Sequence, residues 1–131
     1  MHALASYDYA VVRVVPRVER GEFLNVGVIL FCRTRRFLDT HIALDVPRLH
    51  GVAPYLDIDE IQYHLNLLAL ICNGGKDAGP IGQLSQSERF HWLVAPRSTI
   101  IQTSPPHSGL CSEPEIALQT LVEKMVHVPL V

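Results

Sequence analysis

The stretch YDYAVVRVVPRVERGEFLNVGVILFC, residues 7–32, decides the fold. Tyr7, Tyr9, Val11, Arg13 and Val15 alternate with Asp8, Ala10, Val12 and Val14, a period of two rich in β-branched and aromatic residues that stops at Pro16. Both faces of this strand are largely apolar. After the polar connection RVERGE, Phe23 to Cys32 reads as a second strand, and Gly27 within it predicts a bulge or a close backbone approach. The basic tip Arg33-Thr34-Arg35-Arg36 turns the chain into a third strand, Phe37 to Leu44. Leu38, Thr40, Ile42 and Leu44 would share one of its sides, with Asp39 and His41 on the other. A three-strand antiparallel meander follows.

Beyond this meander the period changes. Asp45 before Val46 and Pro47 predicts an N-cap and a short helix reaching about Val52. Asp57 and Glu60 have capping-box spacing, and Ile58, Ile61, Leu65, Leu68 and Ile71 trace one apolar stripe. That places a helix over 58–72, stopped by Asn73-Gly74-Gly75. QLSQSERFHWLVA is expected to be a short helix ending before Pro96, although FHWLV alone also suits a strand. Thr99 to Thr103 predicts a fourth strand ended by Pro105-Pro106. HSGLCSEPE reads as a loop leading to a last helix with Ser112 as N-cap, Glu115 at the capping-box position, and Pro129 closing it. The expected fold class is therefore α+β. A mainly antiparallel four-stranded sheet, a meander plus a late strand, would carry helices on one face within a single domain.

Composition narrows the function. With 131 residues, 48% apolar and 18% charged side chains, and a formal charge of −2, the chain can bury a core without metal or disulfide staples. A balance of 11 basic against 13 acidic groups argues against a duplex nucleic-acid binder. Nine of the eleven basic groups are arginines, and residues 1–50 carry seven arginines against five acids. Cys32, Cys72 and Cys111 lie far apart with no C-x-x-C pair, so free thiols in a reducing cytosol are expected rather than a disulfide framework or zinc ribbon. The start of the chain does not read as a secretory signal, and the apolar runs are too short for a bilayer span. A cytoplasmic protein away from membranes is the expectation.

Two polar stretches stand out. RVERGEFLNVG brings Arg17, Glu19, Arg20, Glu22 and Asn25 to the joint between two strands, where arginines could hold an anion and Glu22 or Glu19 could act as a base. A solvated hairpin end with compensating charges explains the same residues. Arg13, within an apolar strand, is expected to pair with an Asp or Glu. APRSTIIQTSPPHSG concentrates Arg97, Ser98, Thr99, Gln102 and Thr103 around one strand and offers His107 as a second candidate base, though hydroxyls beside proline also make ordinary turns. The phosphate loop, the paired-histidine zinc motif, the nucleophile elbow and the dinucleotide fingerprint are all missing. No metal and no cofactor is expected.

The strings YDYAVVRVVPRVERGEFLNVGVILFC and FHWLVAPRSTIIQTSPPHSGLC, with the closing amphipathic helix, resemble the bacterial family known as domain of unknown function 3037. The resemblance spans nearly the whole chain and supplies no catalytic residue. It implies a companion or regulator of a HipA-like kinase. Two functions compete on these grounds. One is a non-catalytic interaction module that docks a protein, or a further copy of itself, through a strand edge at Val11 to Val15 or Ile100 to Thr103, or through the arginine-bearing loops. The other is a small enzyme or ligand-binding protein for a phosphorylated or nucleotide-like molecule, which requires Arg20 and Arg97 to face one ligand.

Overall fold

The computed structural model describes residues 3–97 and 99–127, so Ser98 and Pro129 lie outside the described residues. Along the chain, β1 (Ala5–Val14), β2 (Leu24–Cys32) and β3 (Phe37–Ile42) precede α1 (Val46–Val52), α2 (Ile58–Asn73) and α3 (Gln86–Leu93). Then come β4 (Ile101–Thr103), β5 (His107–Cys111) and α4 (Pro114–Met125). The predicted α+β class and meander hold: β1 pairs antiparallel with β2, and β2 with β3.

The late strand is two strands, which makes the sheet five-stranded rather than four-stranded. Both pair antiparallel with the free side of β1, β4 against Val12 to Val14 and β5 against Ala5 to Tyr9. Pro105 and Pro106 separate them because neither can donate to the ladder. Ser104 bridges the break: its backbone N–H donates to Val11 O at 2.8 Å, and its hydroxyl accepts from Val11 N at 2.9 Å. HSGLC lacks alternation and is polar, so it did not read as a strand. It pairs because it continues along β1, and Gly109 leaves room for Tyr7, whose hydroxyl would stand 2.5 Å from a β-carbon there. The helix that follows starts later than expected. Glu113, not Ser112, is the N-cap, since Pro114 takes the first helical position that suits its fixed φ and missing N–H.

Gly27 satisfies both of its expected roles. Val12 opposes Gly27 and Arg13 opposes Asn25, so Val26 is an extra residue and β2 bulges there. A β-carbon on Gly27 would stand 2.7 Å from His41 O and 2.6 Å from Ile42 Cδ1. The bulge shifts the side-chain alternation. Leu24 and Val26 join Ile29 and Phe31 in the core beneath α1, α2 and α3, with Leu49, Leu65, Ile71, Phe90 and Leu93. Val28, Leu30 and Cys32 point the other way, against Leu118, Leu121 and Val122 of α4. Helices thus cover both faces of β2, not one, because this strand is apolar on both sides.

The helix signals held locally. Asp45 and Asp57 cap α1 and α2 by accepting from Arg48 N and Glu60 N. Ser85 and Glu88 form a full capping box that settles FHWLV as helix. Arg89 of α3 is buried, and its Nη1 donates to Ile71 O at 2.7 Å and Cys72 O at 2.6 Å, while its Nε donates to Leu84 O. A cation therefore closes the carbonyl end of α2, where the helix dipole is negative. Among the described residues, no helix is long and apolar enough to cross a membrane.

Candidate functional site

The second polar stretch meets β1, the strand that leads into the first, at the seam between β1 and β4. Val15 N donates to Ile100 O at 2.7 Å, and Arg13 lies directly opposite Gln102. From this seam the chain leaves in two directions, and each side carries a depression.

On one side the connection after β1 faces the end of α1. Pro16, Arg17, Arg20, Glu22, Val52 and Tyr55 line a hollow of about 300 Å³. Arg17 Cζ lies 5.3 Å from the Tyr55 ring centroid, and its Nη1 is 4.0 Å from Glu19. Arg20 pairs with Glu22. These side chains are more than half exposed, so the pairs contribute little to stability. Glu22 is occupied by the Arg20 guanidinium.

On the other side α2 faces β4. His64, Leu67, Leu68 and Ile71 oppose Ile100 and Ile101 across a groove of about 320 Å³, closed at one end by Trp92 and Arg97. Arg97 Cζ stands 4.3 Å from the Trp92 ring centroid. Its Nη1 donates to Leu93 O at 3.2 Å and its Nη2 to Trp92 O. Burial lowers the pKa of this guanidinium, because water that would solvate its charge is excluded. At the strand, Thr99 Oγ1 donates to Ile101 O at 2.7 Å and Gln102 Nε2 donates to Thr99 O at 2.9 Å. These bonds brace the entry to β4.

The remaining candidates lie elsewhere. Asn25 sits at the bulge and donates Nδ2 to Met125 O at 2.9 Å, fastening the end of α4 to the sheet. His107 is exposed on β5, its ring centroid 5.5 Å from that of Tyr9, with no acid in ion-pair reach among the described residues. Arg13 makes no salt bridge among the described residues, contrary to expectation. It lies 4.1 Å from the Phe23 ring centroid, and its Nε is buried without a hydrogen-bond partner. An aromatic face replaces the expected carboxylate. Among the described residues, no group of three or more His, Cys, Asp or Glu side chains could hold a metal ion.

Among the described residues, backbone pairing joins the second stretch to β1 and not to RVERGEFLNVG, and Arg20 and Arg97 line different hollows. Sequence reading missed Leu67, Trp92, Ile100 and Ile101 as a group. The available signal was Trp92, the single tryptophan, five residues before Arg97. These features sit on an antiparallel sheet covered by helices on both faces of its central strands, an α+β domain. The chain belongs to a family described as protein of unknown function, DUF3037, whose model matches residues 9–126. No curated protein and no solved structure matches the chain.

Proposed function

We propose that the protein is a non-catalytic interaction module of the cytoplasm, and that its partner runs alongside β4. The partner that the family resemblance brings forward is a HipA-like kinase. One observation carries the reading. Ile100 O and Ser104 N face β1, so by alternation Ile101 and Thr103 turn their backbone groups outward, next to an aliphatic groove. An edge of this kind accepts an added strand, with main-chain hydrogen bonds giving affinity and the groove giving selectivity. β1 cannot serve in this way, since it is paired on both sides. The arginine hollow around Arg17, Arg20 and Glu22 flanks the same seam and offers a polar rim to the same partner.

The test is a photo-crosslinking residue placed at Thr103 of the full chain in its native host, with a control at Glu123. One discrete adduct at Thr103, missing from the control, is the expected result. Labelling that is equal at the two positions, or none at Thr103, would sink the proposal.

A further inference from the structure

The groove between α2 and β4 also carries information about what lies in it. Its walls are aliphatic, from Leu67, Leu68 and Ile71 on one side and Ile100 and Ile101 on the other. Such a concave surface recovers hydrophobic free energy only when a bulky apolar side chain displaces its water. Apart from the Trp92 indole, the polar side chains of the lining are His64, Arg97 and Thr99, and none of the lining residues is acidic. His64 already faces a carboxylate, with Nε2 at 3.8 Å from Glu60.

Arg97 is different. A guanidinium has five N–H donors, and Arg97 commits one from each terminal nitrogen to the carbonyls of Leu93 and Trp92. No carboxylate lies within ion-pair distance of it among the described residues. Those two bonds hold it over the Trp92 ring, so its remaining donors are oriented before anything binds. A partly desolvated cation held in place without a counter-ion favours an arriving anion.

We infer that this groove reads an extended partner segment in which one bulky aliphatic side chain is followed, two positions away, by a carboxylate. The inference rests on the proposed docking along β4. Ile101 pairs with Val14, a core residue beneath α2, so both point to the α2 side of the sheet. In a strand laid against β4, residues at positions i and i+2 share that side. The aliphatic chain then fills the groove, and the acid reaches Arg97.

The experiment uses the full chain and the blocked peptide Ser-Leu-Thr-Asp-Ser. Trp92, the only tryptophan in the chain, reports binding directly through its fluorescence. The parent peptide is expected to shift the emission saturably, and Leu→Ser in the peptide to abolish the shift. Asp→Lys in the peptide should weaken binding about tenfold or more, the scale of one hydrogen bond to a charged group. Arg97→Gln should erase the preference for Asp over Lys, while Arg97→Lys, which keeps the charge, should retain part of it. If the peptides bind equally well, or if Arg97→Gln leaves the preference intact, the inference fails while docking along β4 stands. If no peptide shifts Trp92 although the Thr103 crosslink forms, the inference fails alone. Concentration-dependent self-association that buries Trp92 would name a second copy as the occupant and overturn it.

Discussion

The guanidinium of Arg89 lies 3.0 Å from the point where Gly74 would carry a β-carbon. Gly74 has φ 74° and ψ −177°, a backbone state open almost only to glycine, and it brings the chain close enough for Arg89 to close the end of α2. Gly74→Ala is therefore expected to lower unfolding free energy by about 1–3 kcal/mol. Arg89→Met leaves the carbonyls of Ile71, Cys72 and Leu84 without that donor and should cost a similar amount, about 1–3 kcal/mol. Urea unfolding of the two variants and of the double variant checks this. Because both changes disable one contact, the double variant should lose less than the sum.

Gly27 and Gly109 separate a rigid neighbour from a movable one. A methyl on Gly27 would meet the backbone oxygen of His41, which cannot give way without parting β2 from β3. A methyl on Gly109 would meet the ring end of Tyr7, which can rotate outward. Gly27→Ala should be the more destabilising of the two, by at least about 1 kcal/mol, as overpacking against fixed atoms predicts. Thermal melts of both variants decide the order.

Cys72 titrates far from ordinary conditions. Burial, with a smaller push from Asp39, raises its thiol from 9.0 to about 12. Between these two values the folded protein holds a proton that the unfolded chain has lost, so stability falls as pH rises from 9.0 toward about 12. Cys72→Ala should lower stability at neutral pH through the small void it leaves, and its stability should decline less steeply in that alkaline window than that of the parent. Denaturant midpoints at pH 8 and pH 10.5 provide the comparison.

Cys32 on β2 and Cys111 on β5 flank β1 on the α4 side. Burial, and then the neighbouring Cys32 thiol, raise the Cys111 pKa, so the two side chains lean toward each other. Yet two strand spacings, roughly 9–10 Å, separate their strands, beyond the roughly 7 Å that a disulfide tolerates between α-carbons. Mild oxidation of the native protein should leave all three cysteines as thiols, counted by reagent after unfolding. A Cys32–Cys111 crosslink in the folded state would contradict this arrangement.

Much of the architecture was legible because its signals are local. The alternation in Tyr7 to Val15, the Asp57 cap and the Gly74-Gly75 stop each act within a few residues, and each appears where expected. The bulge at Val26 was legible too, through Gly27. What escaped depends on distant parts of the chain. HSGLC becomes a strand only because β1 offers an open side, and nothing within those five residues announces it. Arg13 takes Phe23 as neighbour through the hairpin geometry at the bulge, which spacing alone does not give. The groove is assembled from α2, the end of α3 and β4, so its residues look like ordinary core positions in the sequence.

The break at Pro105-Pro106 has one more effect. Neither imide can extend a ladder, and Ser104 is turned inward to serve Val11, so the outer flank of the molecule consists of two brief segments rather than a continuous rail. Endless stacking of sheet upon sheet therefore meets an interruption after every few rungs. The same two imino acids thus guard against fibre growth.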